Sequence, residues 1–169
     1  LLSSGRDDKS AMRKRMVAAS ERFEDLHGQG FDAIARRARE LEIDILVDLK
    51  GVTHDTLMPV LAQRPAPLQV TWLGFPGTSG APYIDYLIGD TVVTPLADAA
   101  HFSEKIAQMP HCYQPNDAHR VLPAPATRAS VGLPDDALVL CAFHQSYKIS
   151  GEVFATWCDL LQRIPGSVL

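Results

Sequence analysis

Long apolar runs are missing from this chain: none approaches the roughly 18 uninterrupted residues of a membrane span, and no charged, apolar and small-residue layout marks a secretory leader. Cysteine is scarce, with Cys112, Cys141 and Cys158 as the three thiols. Their odd number and uneven spacing, without any C-x-x-C, exclude a disulfide framework and predict reduced, buried thiols in a cytoplasmic protein. There is no excess of positive charge: 16 Lys and Arg against 20 Asp and Glu give a formal −4, whereas nucleic-acid binding needs clustered cations. The cluster Arg13-Lys14-Arg15 reads as a solvated helix face. Metal signatures are absent too, with no H-x-x-x-H, no clustered Cys/His set and no D-x-D. No metal and no other cofactor is expected. What is present is 46% hydrophobic residues in a chain of 169, enough for the core of one domain or of pieces of two.

The apolar pattern alternates between two periods. Ser10 to Arg22 reads as a helix, followed by a short strand at Phe23–Leu26. Phe31, Ile34, Ala38 and Leu41 then recur at helical spacing, with charged residues on the other face. Ile43–Leu49 is an apolar, β-branched run that predicts a buried strand of a parallel sheet. A short helix near Asp55–Leu61 and strands at Leu68–Leu73, Ile84–Ile88 and Ile106–Met109 follow, and this alternation predicts a parallel α/β sheet. From Gln114 to Asp136 no apolar period survives, which marks an interdomain connection. Ala137–Phe143 restarts with a buried strand, and Val153, Trp157, Leu160 and Ile164 mark an amphipathic helix capped by Ser150 and stopped at Pro165-Gly166. The expected organisation is a Rossmann-like domain over 1–113, a linker over 114–136 and the start of a second Rossmann-like domain over 137–169.

The strand at Leu68–Leu73 breaks into Gly74, Pro76, Gly77, Thr78, Ser79 and Gly80. Glycines there admit another surface close to the backbone, and Pro76 stiffens the loop by keeping Phe75 out of the α region. The spacing matches neither G-x-G-x-x-G nor G-x-x-x-x-G-K-[ST], so a ligand-facing loop and a tight structural turn both remain open. Thr78 and Ser79 read as local hydrogen-bonding hydroxyls that hold the turn. Lys148, just beyond the strand end at Ala137–Phe143, reads on its own as a solvated cap.

The wording of three segments is more specific. RPAPLQVTWLGFPGTSGAPYIDYLIGD, HFSEKIAQMPHCYQPND and CAFHQSYKI, in that order, resemble the catalytic region of the O-GlcNAc transferase and SPINDLY-like glycosyltransferases, family 41. The resemblance implies a GT-B fold, an α/β arrangement of two Rossmann-like domains, of which this chain holds the end of the first and the start of the second. It implies inverting transfer of N-acetylglucosamine from UDP-GlcNAc to Ser or Thr hydroxyls of acceptor proteins, with no metal. Lys148 would neutralise the departing diphosphate, the largest kind of catalytic contribution, and Gln145 would bind the sugar nucleotide. Leu73, Gly74 and Pro76 match positions that contact the donor sugar. Thr53 and His54 match a second loop near donor or acceptor, with His54 able to exchange protons. The chain departs from the family pattern at Val52 and His144.

Relatives of this kind carry tetratricopeptide repeats upstream and more of the nucleotide-binding domain downstream, so the expectation is a fragment that is inactive alone. Two alternatives stand beside it: a noncatalytic Rossmann-like assembly module, and an O-fucosyltransferase of the SPINDLY branch, which tends to read PNTTG where this chain has Pro76-Gly77-Thr78-Ser79-Gly80.

Overall fold

Strand-forming residues and helix stripes alternate through the first two thirds of the chain, and in the computed structural model, which describes residues 1–169, they build a parallel sheet. The elements are β1 (Leu2–Ser3), α1 (Ala11–Ala19), β2 (Glu24–Asp25), α2 (Phe31–Glu40), β3 (Ile45–Asp48), α3 (Met58–Leu61), β4 (Leu68–Trp72), β5 (Tyr86–Gly89), β6 (Lys105–Gln108) and α4 (Gly151–Arg163). Strands β3-β4-β5-β6 form one sheet in that order, every neighbour parallel, and β1 pairs with β2 in a separate parallel pair. The chain divides into two compact units, Leu1–Asn116 and Asp117–Leu169.

In the first unit α2 turns Ile34, Ala35 and Ala38 inward, and Ile34 and Ala35 meet Leu26 and Val60. Helix α3 serves two clusters, because Met58 and Leu61 pack instead on Ala81 and Ile84. Glu24 of β2 is tied to α2 by Arg37 at 2.9 Å. Hydrogen bonds from Arg37 first and Arg22 second hold the Glu24 carboxyl down at about 2. At the amino end of the sheet, Arg64 donates to both Asp85 oxygens and to Pro67 O, and Asp85 accepts from the Gln69 amide. The arginine and glutamine of the RPAPLQ segment are therefore architectural. Arg13, expected on a solvated face, is drawn inward: it bonds Asp7, Asp25 and Ser3 Oγ and lies over the Phe23 ring.

Three expectations of burial fail. Strand β3 is not buried on both sides, since Ile45 is 56% and Val47 40% exposed; β3 is the last strand of its sheet and has β4 on one side alone. In the second unit the segment Ala137–Phe143 forms a single parallel bridge, Val139 with Val168, and Phe143 is 97% exposed. One bridge and one helix supply too few neighbours to cover it. The same sparseness leaves Cys141 exposed and Cys158 half-buried, and Cys112 is exposed on the first unit; all three are free thiols, but none is buried. Helix α4 forms as expected, with Ser150 Oγ accepting from the Val153 amide and the left-handed Gly166 just after its end. No helix is long and apolar enough to cross a membrane.

Candidate functional site

Parallel strands β3 and β4 are neighbours, so the loops that follow them, 49–57 and 73–80, leave the same carboxyl end of the sheet. That end is where open α/β sheets bind ligands. The loop after β3 is folded by its own polar groups. Buried Asp48 accepts from the amides of Lys50 and Gly51 at 3.2 and 2.7 Å, Thr53 Oγ1 donates to Lys50 O at 2.9 Å, and Thr56 Oγ1 donates to Gly51 O at 2.6 Å. The Thr53 hydroxyl proton is thus engaged while its lone pairs stay available. The His54 side chain is 96% exposed and touches Asp55 at 3.4 Å.

The loop after β4 opens with a tight reversal. Gly74 N donates to Trp72 O at 3.0 Å around Leu73, whose φ is 75°. A three-residue turn with a left-handed leucine at its centre is rare and strained, and such strain collects at ligand sites. Gly74 is pressed onto the preceding loop: a β-carbon there would lie 2.8 Å from Lys50 O and 2.9 Å from Lys50 Cα, and closer still to Leu49 O. Its other side is exposed, as is Pro76. The glycine meets both demands left open by the sequence, since it closes a structural turn and leaves main chain accessible.

Glu104, which the sequence reading passed over, holds the rest of this loop. It is 4% exposed; Oε2 accepts from Thr78 Oγ1 at 2.7 Å, and Oε1 accepts from the Ser79 amide at 2.8 Å and from the Ser79 hydroxyl. Burial pushes this carboxyl up, but the hydrogen bonds of Ser79 and Thr78 outweigh it and leave the group below the usual glutamate value. Thr78 and Ser79 do hold the turn locally, accepting from the Gly80 and Ala81 amides at 3.1 and 3.2 Å, and both are anchored to a partner 26 and 25 residues away. Asp90, beyond β5, plays a parallel part: it accepts from the amides of Val92, Val93 and Tyr113. The Val93 and Tyr113 amides lead in lowering its pKa. Trp72 Nε1 donates to Tyr113 O at 2.8 Å, so the His111–Tyr113 segment is fastened to two strand ends. The only cue to Glu104 and Asp90 in the sequence was an acid beside a strand.

Gln145 and Lys148 lie in the second unit. Gln145 O accepts from the Lys148 amide at 2.9 Å, closing a short turn, Ser146–Lys148, just before α4. Lys148 is exposed, with Nζ 6.0 Å from the Tyr147 ring centroid and no carboxylate partner. His144 lies edge-on to Trp157 at 5.6 Å. The turn sets Lys148 close in sequence to the α4 amino end, where unsatisfied amides favour anions. Thr53, His54, Leu73, Gly74 and Pro76 thus share one end of the first unit's sheet, and Gln145 and Lys148 share the approach to α4. No group of three or more His, Cys, Asp or Glu side chains is placed to hold a metal.

Comparison with known proteins places this arrangement. The sequence profile of Glycosyl transferase family 41 matches residues 2–125 and 117–169. A probable UDP-N-acetylglucosamine–peptide N-acetylglucosaminyltransferase SEC from Arabidopsis thaliana is 40% identical, covering 96% of this chain and 17% of that protein. A probable enzyme of the same description, SPINDLY, from Eustoma exaltatum is 34% identical over 93% of this chain and 17% of its own length. Among solved structures, a mutant of the Thermobaculum terrenum O-GlcNAc transferase superposes with a TM-score of 0.79 at 29% identity, over 98% of this chain and 31% of that one. The chain therefore spans about a sixth of the curated relatives it matches. With an α/β fold of the GT-B kind and a profile match along nearly its whole length, the chain belongs to glycosyl transferase family 41.

Proposed function

We propose that residues 1–169 are part of a longer, metal-independent, cytoplasmic protein O-GlcNAc transferase that moves N-acetylglucosamine from UDP-GlcNAc to Ser or Thr hydroxyls of proteins with inversion. The observation that carries the reading is the family match across both units, combined with a strained, glycine-bearing loop at the carboxyl end of the sheet and an unpaired lysine before α4. The acceptor oxygen forms a bond to the anomeric carbon as the bond from that carbon to the diphosphate breaks. The electron pair leaves on the diphosphate and the hydroxyl proton passes to a base. Lys148 stabilises the charge that grows on the diphosphate, and Gln145 offers a donor and an acceptor to the nucleotide. The backbone of half-buried Leu73 and exposed Gly74, with Pro76, meets the sugar. Thr53 supplies hydroxyl lone pairs, and His54 exchanges protons.

Calorimetric titration of UDP and GDP into the longer parent protein tests this, with wild type and Lys148→Ala side by side. Selective UDP binding that weakens in the variant, with kcat lowered roughly 100-fold or more, is expected. GDP preference would redirect the donor to fucose, and no binding of either nucleotide would favour an assembly module. The isolated 169-residue chain is expected to be inactive, so sugar transfer by it would refute the fragment reading.

A further inference from the structure

Between the Leu73 turn and Thr78, the loop after β4 consists of Gly74, Phe75, Pro76 and Gly77, of which the first three are exposed. One end of this span is set by β4, through the bond from the Gly74 amide to Trp72 O at 3.0 Å. Its middle is propped by Phe75: a β-carbon at Gly51 would lie 3.0 Å from Phe75 Cβ, and one at Gly77 would lie 2.9 Å from the Phe75 ring. The far end is set by Glu104. This residue stands immediately before β6 and is carried by the sheet, since the neighbouring Lys105 amide donates to Asp85 O at 3.0 Å.

Hydrogen-bond demand at that far end is one-sided. Thr78 Oγ1 accepts from the Gly80 and Ser103 amides, both at 3.1 Å, which fills its two lone pairs and leaves one proton to give. That proton goes to Glu104 Oε2 at 2.7 Å, nearer than Ser103 Oγ at 3.1 Å. Ser79 Oγ accepts from the Ala81 amide at 3.2 Å and donates to Glu104 Oε1, which also receives the Ser79 amide at 2.8 Å. Position 104 therefore faces three donors and no acceptor. A carboxylate meets that demand with its two oxygens, and a side-chain amide of the same shape does not. Turned one way its NH2 group meets the Ser79 amide, and turned the other it meets the saturated Thr78 oxygen. With residue 104 only 4% exposed, water cannot repair the mismatch, and a buried network with unpaired members is costly.

We propose that Glu104 is a positioning residue of the donor-sugar site: its carboxylate, acting through Thr78 and Ser79, holds residues 74–77 in the shape that meets the sugar, and glutamine cannot take its place. This role rests on the proposed function, in which Leu73, Gly74 and Pro76 meet the sugar while Gln145 and Lys148 serve the nucleotide and the diphosphate. Main chain that is already ordered binds without a fresh ordering cost. The clamp thus contributes to affinity for the sugar and leaves affinity for the nucleotide unchanged.

The test is calorimetric titration of UDP and of UDP-GlcNAc, without acceptor, into the longer parent protein as wild type, Glu104→Gln and Ser79→Ala. In Glu104→Gln the dissociation constant for UDP-GlcNAc is expected to rise by about 10-fold or more while that for UDP holds, because a small misplacement of a positioning group is enough to lose that much. Ser79→Ala removes one hydroxyl donor and keeps the amide, so the same constant should rise by less; it supplies the reading where the glutamine variant is too unstable to titrate. An unchanged ratio of the two constants would overturn the proposal. Equal loss of UDP and UDP-GlcNAc, the mark of general destabilisation, would overturn it as well. A wild type that binds neither nucleotide would refute the transferase reading and the proposal with it, whereas wild-type binding with an unchanged ratio in the variants removes the proposal alone.

Discussion

Replacing Gly74 with alanine sets a methyl group against the carbonyls of Leu49 and Lys50, which are main chain and cannot rotate away. The expected cost is about 1–3 kcal/mol, the range of overpacked sites, read as a lower melting temperature together with weaker sugar-nucleotide binding in the parent. Glu104 makes a pH-dependent prediction. Its folded pKa lies below the ordinary glutamate value, so its contribution is present above the unfolded value of about 4.3 and is lost as pH falls through the folded value. Thermal unfolding followed from pH 6 down to pH 3 should show this loss in the wild type and a flatter profile in Glu104→Gln. At neutral pH Glu104→Ala should cost on the order of 2 kcal/mol, since it removes a buried charged acceptor from three donors.

Among the elements, α4, like α1, depends on its serine cap, because none of its residues is buried and tertiary packing contributes little. Ser150→Ala should destabilise it by about 1 kcal/mol, measurable as lost helical circular dichroism at moderate temperature. That cap was readable from the sequence, as were α2 and the parallel sense of the main sheet, because these rest on local rules of period, capping and alternation. The lengths were less so: the strand expected over Ile43–Leu49 is Ile45–Asp48, and the helix expected from Asp55 starts at Met58. Asp48 and Thr56 take the intervening amides and carbonyls into side-chain bonds, a competition that apolar periodicity does not register. The glycine-bearing loop was visible as a loop, but its clamp was not. Glu104 reaches Ser79 from 25 residues away, and nothing local to either residue announces the pair. The expected burial of Ala137–Phe143 failed for a related reason, since an apolar run shows what can be covered and not what is there to cover it.

Considered as a whole, the molecule consists of two compact units that meet in sequence at Asn116 and Asp117, followed by an exposed stretch with little regular structure from 117 to 128. Limited trypsin digestion should cut first after Arg120, because Arg128 is engaged by Pro134 O and Ala137 O at 2.9 and 2.8 Å and exposed irregular segments are the preferred sites of nicking. Mass spectrometry would then find a fragment ending at residue 120, and first cleavage inside α1 or α2 would contradict the division. The Glu104 clamp also has a consequence in time. Chains emerge from the ribosome at about 5–20 residues per second and fold from the amino end first, so the Thr78–Ser79 turn leaves the ribosome roughly 1–5 seconds before its anchor does. During that interval strands β3 and β4 can pair, but the loop above them lacks its clamp. A pause in translation that falls after the turn has emerged and before Glu104 has would prolong the interval in which the nascent chain is open to proteases and chaperones.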